Sequence, residues 1–328
     1  MKKFKITSIS KYLPGAPVSH AEVEKVAGIR QGWVQKNSGV ETRHFASKKD
    51  SIASMTAKAL NCSLQKVGYN LDDLDLLICA GATYDYPIPY NACMVKKEMQ
   101  AYDTTLHCFD VDATCLSFIV GMDVAMAMMN AKRTNRIAIT SAEIASRSLN
   151  PEDPKTYSLF GDAAVSMIIE EDEEGIEILG SHFENYCEGA ELAMVPAGGN
   201  ALLGFNPLAA QKDFYFHMQG KKLLKMTFAK LDQYLENLEA ETGIGIQDYD
   251  LIIPHQASKF GNEYFIKKYQ LDSDKVYQGL INYGNCISTS VALGLECNYN
   301  NGRIQKGDKV LVVGTAAGLS IGGIALQF

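Results

Sequence analysis

Residues 113–143 read ATCLSFIVGMDVAMAMMNAKRTNRIAITSAE, and residues 284–318 read GNCISTSVALGLECNYNNGRIQKGDKVLVVGTAAG. Both run in one order: a small polar cap, a cysteine, an apolar helix, a polar basic turn, then a β-strand. Each follows another echo. Residues 73–78, DLDLLI, and 248–253, DYDLII, are apolar runs entered by an Asp-x-Asp turn, the pattern of a buried strand. Chance supplies one such match. Two in the same order argue for a duplicated βαβ unit. The seam falls at the acidic turn Glu170–Gly175, between the strands AAVSMIIE and GIEILGSHF, although this stretch also reads as a solvated hairpin turn. The halves are then residues 1–172, with Cys115, and 173–328, with His255 and Asn285.

Outward from these segments, helical patterns fit near residues 51–68, 89–99, 114–131, 220–242, 258–269 and 286–302, with strands between them. That alternation predicts an α/β protein with mostly parallel sheets. The helix at 115–129 is apolar on nearly all sides, so it belongs between two layers rather than on the surface.

Composition narrows the function classes. The chain is 47% hydrophobic and 21% charged, with a formal net charge of −7. No block of Lys/Arg stands out, which argues against nucleic-acid or membrane-surface binding. Met1-Lys2-Lys3 leads into a strand-like run, not an apolar leader segment. The run Cys115–Met129 is too short and too polar to span a bilayer. None of the eight cysteines forms a C-x-x-C pair, and several sit in apolar runs. Reduced thiols and a cytoplasmic location are expected. There is no metal-ligand spacing, P-loop or Ser-centred elbow.

Three positions could carry chemistry. Cys115 follows the cap-like Asp112-Ala113-Thr114 at the start of the buried helix, where a helix N-terminus is expected to lower a thiol pKa. Cys286, its partner in the repeat, looks similar, so position alone does not make a nucleophile. His255 follows a strand directly, in Pro254-His255-Gln256-Ala257, and strand ends of α/β sheets are where ligands bind. Asn285 stands at the start of the second-half helix, where a capping role alone would explain it. The repeat changes that weighting: a pseudo-symmetric pair of halves brings these three points together near the axis.

These residues resemble the β-ketoacyl-acyl-carrier-protein synthase III family of thiolase-fold condensing enzymes. The matching motifs are Asp112-Ala113-Thr114-Cys115, Phe160-Gly161-Asp162, Pro254-His255-Gln256-Ala257, Gly284-Asn285 and the segment from Gly318 to Gly322. The resemblance implies a thiolase fold with a five-layered αβαβα core and a homodimer. It implies that Cys115 takes an acyl group from an acyl thioester, and that His255 and Asn285 support decarboxylative condensation with a malonyl thioester. The backbone N–H groups of Cys115 and Gly318 would form the oxyanion hole. Coenzyme A or acyl-carrier-protein thioesters are then substrates, with no cofactor. Trp33 matches a tryptophan that stacks on the coenzyme A adenine, and Phe160 and Lys155 fall in substrate-binding positions. Two arginines that flank the adenine in the family are Asn37 and Pro154 here, with Lys36 and Lys155 adjacent. The arginine that contacts carrier protein is replaced by Phe260, next to Lys259. The residue at the end of the acyl pocket is Ile88. These departures suggest a specialised relative of the housekeeping enzyme. Acyl transfer to an alcohol or amine, and head-to-head condensation without decarboxylation, are the alternatives.

Overall fold

The computed structural model describes residues 2–328. The first sheet contains β1 (Phe4–Tyr12), β2 (Leu76–Ala80), β3 (His107–Val111), β4 (Arg136–Glu143) and β5 (Ala163–Glu171), in the order β1-β5-β4-β2-β3. The second contains β6 (Glu177–Asn185), β7 (Leu251–Pro254), β8 (Lys309–Ala316) and β9 (Ser320–Gln327), in the order β6-β9-β8-β7. The two orders superpose strand for strand. The place of β3 is taken in the second half by an isolated parallel bridge between Ile252 and Val276. The chain is a duplicated thiolase fold.

The sheets are mixed rather than mostly parallel. Only β2–β3, β2–β4 and β7–β8 pair in parallel; the other four pairs are antiparallel. The reason is local. Strand β9 returns from β8 through the short turn after Ala316, and β5 returns to β4 after residues 144–162, neither with the crossover helix that parallel strands require. The acidic turn is not a hairpin either. Strand β5 pairs with β1 and β4, whereas β6 pairs with β9, so the chain passes there from one sheet to the other.

Six principal helices form where the apolar periodicity places them: α1 (Ile52–Val67), α2 (Asn91–Glu98), α3 (Ser117–Asn130), α4 (Gly220–Thr242), α5 (Lys259–Lys268) and α6 (Thr289–Asn300). Ser51 caps the N-terminus of α1 through the Ser54 N–H, and Gly68, at φ 71°, ends it in the left-handed conformation. Helices α3 and α6 touch both sheets and form the middle layer; α1 covers the outer face of the first sheet and α4 that of the second. That gives five layers. It also explains why all five residues of β2 are buried and read as an unbroken apolar run: both faces of the sheet are covered. Among the described residues, no helix is long and apolar enough to cross a membrane.

Candidate active site

Cys115 lies in a single 3-10 turn, Thr114–Leu116, that leads into α3. The turn is built from local bonds. The Ala113 N–H donates to Ser117 Oγ at 2.9 Å, the Thr114 N–H to Asp112 Oδ1 at 2.8 Å, and Thr114 adopts a left-handed φ of 52°. The same construction opens α6. The Cys286 N–H donates to Ser290 Oγ at 2.8 Å, the Ile287 N–H to Asn285 Oδ1 at 2.9 Å, and Ile287 has φ 49°. The matched bonds set the register between the halves. Ala113 corresponds to Cys286, Asp112 to Asn285, and Cys115 to Ser288. Cys286 is therefore not the counterpart of Cys115. It is fully buried, its Sγ donates to the Tyr283 carbonyl at 3.3 Å, and burial holds its pKa well above that of an ordinary thiol.

His255 stands at the end of β7, where its N–H continues the ladder to the Val313 carbonyl at 2.8 Å. Gln256 anchors the loop that follows. Its Nε2 donates to the carbonyls of Pro254 and Tyr277, and its Oε1 accepts from Asn262 Nδ2 and the Leu280 N–H. Asn285 is fixed by its backbone. Its N–H donates to the Leu159 carbonyl at 2.9 Å, and its own carbonyl accepts from the Gly161 N–H at 3.1 Å. A side chain at Gly161 would put Cβ 2.2 Å from the Tyr283 carbonyl oxygen, so this crossing admits only glycine. With Oδ1 taken by Ile287, the Asn285 amide has its Nδ2 hydrogens left to donate.

Cys115, His255 and Asn285 line one cavity of about 450 Å³. Its walls are mostly apolar, with Leu149, Phe160, Met194, Phe216 and Met218 among them. A second apolar cavity of about 300 Å³ runs between α4 and α5 and shares His255, Met218 and Leu223 with the first.

The electrostatics differ from the expected low thiol pKa. Cys115 is pushed up to about 12: burial is the main cause and the Glu143 charge adds to it, while the N–H groups of Ala317 and of Cys115 itself act the other way. Part of the thiol faces the cavity, yet protein surrounds it. The favourable end of a helix is outweighed here by desolvation and a nearby carboxyl group. His255 is pushed down to about 4 by burial, with the Ile287 backbone opposing. It is a neutral imidazole near pH 7, and its Nδ1 has no hydrogen-bond partner among the described residues.

Family models and relatives agree with this architecture. The model described as "3-Oxoacyl-[acyl-carrier-protein (ACP)] synthase III" matches residues 109–187, and that described as the synthase III C terminal matches 239–328. Together they take in more than half of the chain, including all three cavity residues. The chain belongs to the 3-oxoacyl-acyl-carrier-protein synthase III family. It is 28% identical to the β-ketoacyl-[acyl-carrier-protein] synthase III of Clostridioides difficile over 323 residues, 98% of each chain. It is 29% identical to that of Caldanaerobacter subterraneus over 315 residues, 96% of this chain and 95% of the relative. The crystal structure of the synthase III of Aquifex aeolicus superposes with a TM-score of 0.87 at 25% identity, covering 99% of this chain and all of that one. The chain is accordingly an acyl-transferring condensing enzyme.

Within this synthase III frame the sequence-predicted site residues divide. Phe160 and Gly318 line the cavity with Cys115, His255 and Asn285. Trp33, Lys155 and Lys259 lie outside it; the Lys259 stem packs against Gly39, in a separate polar cleft with Gln35 and Glu41. Ile88 does not end the cavity of its own chain. It is 87% exposed, because the 84–90 segment turns its side chains outward beside the edge strand β3. Sequence reasoning missed Ala317, whose N–H helps hold the thiol pKa down, and it gave Gln256 and Glu143 no role. For Glu143 there was a usable signal: a lone acid at the C-terminal end of an otherwise apolar strand, where α/β sheets place their sites.

Proposed function

We propose that this enzyme transfers an acyl group from a thioester to Cys115 and condenses it with a malonyl thioester to give a 3-oxoacyl product. The observation that carries this reading is the meeting of a thiol, a neutral imidazole and an amide donor in one apolar cavity. Cys115 Sγ attacks the thioester carbonyl, the carbonyl–sulfur bond of the donor breaks, and the departing thiolate takes up the proton that Cys115 gives up. The malonyl thioester then binds with its carbonyl oxygen between His255 and Asn285. Its carboxylate leaves as CO2, and the bonding electrons form an enolate that these two donors stabilise. The enolate carbon attacks the acyl-Cys carbonyl, the carbonyl–sulfur bond to Cys115 breaks, and the departing thiolate regains a proton from solvent water. Donors that stay neutral suit an enolate, because no proton has to be removed from the substrate carbon.

Several finer points belong to the same proposal. The primer is an acyl chain longer than acetyl, consistent with the apolar walls of the cavity. Coenzyme A itself is a weak handle, because Asn37 and Pro154 offer no charge to its phosphates, whereas a charge-assisted contact is worth about 1.5–3 kcal/mol. The oxyanion hole is formed by N–H groups of Cys115 and the 317–318 turn. The halves divide at 172/173, and the protein acts in the cytoplasm as a homodimer. A dimer joined along β3 would cover Tyr84, Tyr86, Ile88 and Tyr90, which are exposed beside that edge.

The test is peptide mass spectrometry of Cys115 after incubation with acetyl-CoA, octanoyl-CoA and octanoyl-carrier protein, followed by malonyl-carrier protein. The proposal expects octanoyl-Cys115 and its disappearance as 3-oxodecanoyl product forms. Stable acyl-Cys115 that malonyl donors never discharge would contradict the condensing step.

A further inference from the structure

The side chain of Glu143 is fully buried at the end of β4, and the reaction just described gives it no role. Its carboxylate accepts four hydrogen bonds: from the Ala82 N–H at 2.9 Å, the Thr83 N–H at 3.0 Å, Thr83 Oγ1 at 2.6 Å and Ser288 Oγ at 2.5 Å. No lysine or arginine among the described residues pairs with it. A buried carboxyl without a cation is costly to ionise, and a chain retains one only where something offsets that cost.

Its partners give the clue. Ala82 and Thr83 form the cavity wall facing Cys115. Ser288 is the second-half counterpart of Cys115 and bonds in turn to Ser141 Oγ at 2.8 Å. Glu143 thus occupies the place beside Ser288 that Ala316 occupies beside Cys115, and its charge lies near enough to oppose ionisation of the thiol. The titratable groups around this pair are Asp112 on the Cys115 turn, Cys286 at the start of α6, His255 at the end of β7, and Asp162 behind Cys286. None carries a positive charge near neutral pH.

We propose that Glu143 is a positioning residue that controls when the Cys115 thiol ionises, by holding a carboxyl group behind it that must itself be protonated before a thiolate forms easily. Burial pushes Glu143 up to about 7, so its charge changes in the pH range where the enzyme would work. The thiol and the carboxyl then titrate as a linked pair, with negative charge on one opposing negative charge on the other. A resting thiol held protonated in this way resists oxidation and stray alkylation, and ionises once a thioester carbonyl fills the hole.

The inference rests on Cys115 being the nucleophile, which acyl-enzyme formation on the unaltered protein tests separately. Its own test is the pH profile of iodoacetamide alkylation, read at the Cys115 peptide by mass spectrometry, for the unaltered enzyme, Glu143→Gln and Ser288→Ala. Glu143→Gln keeps the shape and removes the charge. Its profile is expected to shift to lower pH, with the rate at pH 8 rising about three- to tenfold, since one pKa unit is tenfold in thiolate. Ser288→Ala removes one donor from the carboxylate, raises the Glu143 pKa and is expected to shift the profile the same way by less. A purely structural role would lower the melting temperature and leave both profiles in place, and that result would overturn the proposal. Should Glu143→Gln not fold, the direction of the Ser288→Ala shift decides alone.

Discussion

The turns at residues 112–117 and 285–290 share the same two backbone-to-side-chain bonds, yet one sets a cysteine on the cavity and the other a buried serine. What differs is the side chains at matched positions. Asp112 corresponds to Asn285: each accepts from the N–H two residues on, Thr114 or Ile287, but only the amide has a donor left over. Cys115 faces Ser288, which is locked to Glu143 and Ser141. Gly314, against which His255 and Leu116 pack closely, takes the place held by Ser141 in the first half. The duplication thus supplies two helix starts. One is left hollow for substrate, and the other is filled by a hydrogen-bonded polar cluster. A backbone that can hold a reactive group does not create one.

The largest expected effect lies in the donors that the second half lends to the first. His255→Ala and Asn285→Ala should each still form acyl-Cys115 but lose condensation by about 10²–10³-fold, the usual cost of removing one oxyanion donor. Parallel loss of acylation and condensation, measured by acyl-peptide yield and product formation, would make them activators of the thiol instead.

Next comes the crossing that sets Asn285. Gly161→Ala drives Cβ into the Tyr283 carbonyl, and Gly284→Ala combines a φ of 68° with a 2.8 Å approach to the Leu159 carbonyl oxygen. Each should cost on the order of 2–4 kcal/mol, read from denaturant midpoints at unchanged m. An effect under about 0.5 kcal/mol would mean that the crossing is looser than its geometry.

The two buried titrating groups give a pH test with opposite signs. The folded pKa of His255 is depressed, so the native state binds fewer protons than the unfolded chain between about 4 and 6.5, and stability rises with pH across that window. The folded pKa of Glu143 is raised to about 7, so the native state binds more protons between 4.5 and 7, and stability falls with rising pH there. In the unaltered protein the two slopes oppose each other. Glu143→Gln should leave a net rise with pH, and His255→Asn a net fall. Urea titrations at pH 5, 6 and 7 read both, and identical slopes in all three proteins would contradict the burial of these groups.

The smallest effect belongs to Cys286→Ala. It should cost about 1 kcal/mol as a small core truncation and leave acylation of Cys115 unchanged.

Much of this was legible in the sequence, because duplication writes the same period twice. The two middle-layer helices and the convergence of Cys115, His255 and Asn285 follow from the two echoes, and the other four helices from their own patterns. What the echoes did not settle was register. Aligning on cysteines paired Cys115 with Cys286, two residues off; in the true match Ser117 meets Ser290, but the capping residues Asp112 and Asn285 and the left-handed residues Thr114 and Ile287 differ in identity. The mixed sheets escaped because a return without a crossover helix looks like any strand–loop–strand stretch. The outward turn of Ile88 depends on an edge that only the folded sheet defines. The raised thiol pKa escaped because the burial that mainly causes it, and the Glu143 charge that adds to it, exist only in the folded chain.

The most direct test of the whole account is intact-protein and peptide mass spectrometry of the enzyme, Cys115→Ala and Cys286→Ala after incubation with octanoyl-carrier protein. The account predicts one octanoyl group per chain on Cys115 in the unaltered enzyme and in Cys286→Ala, and none in Cys115→Ala. Stoichiometric acylation of Cys115→Ala, or loss of acylation in a folded Cys286→Ala, would contradict it.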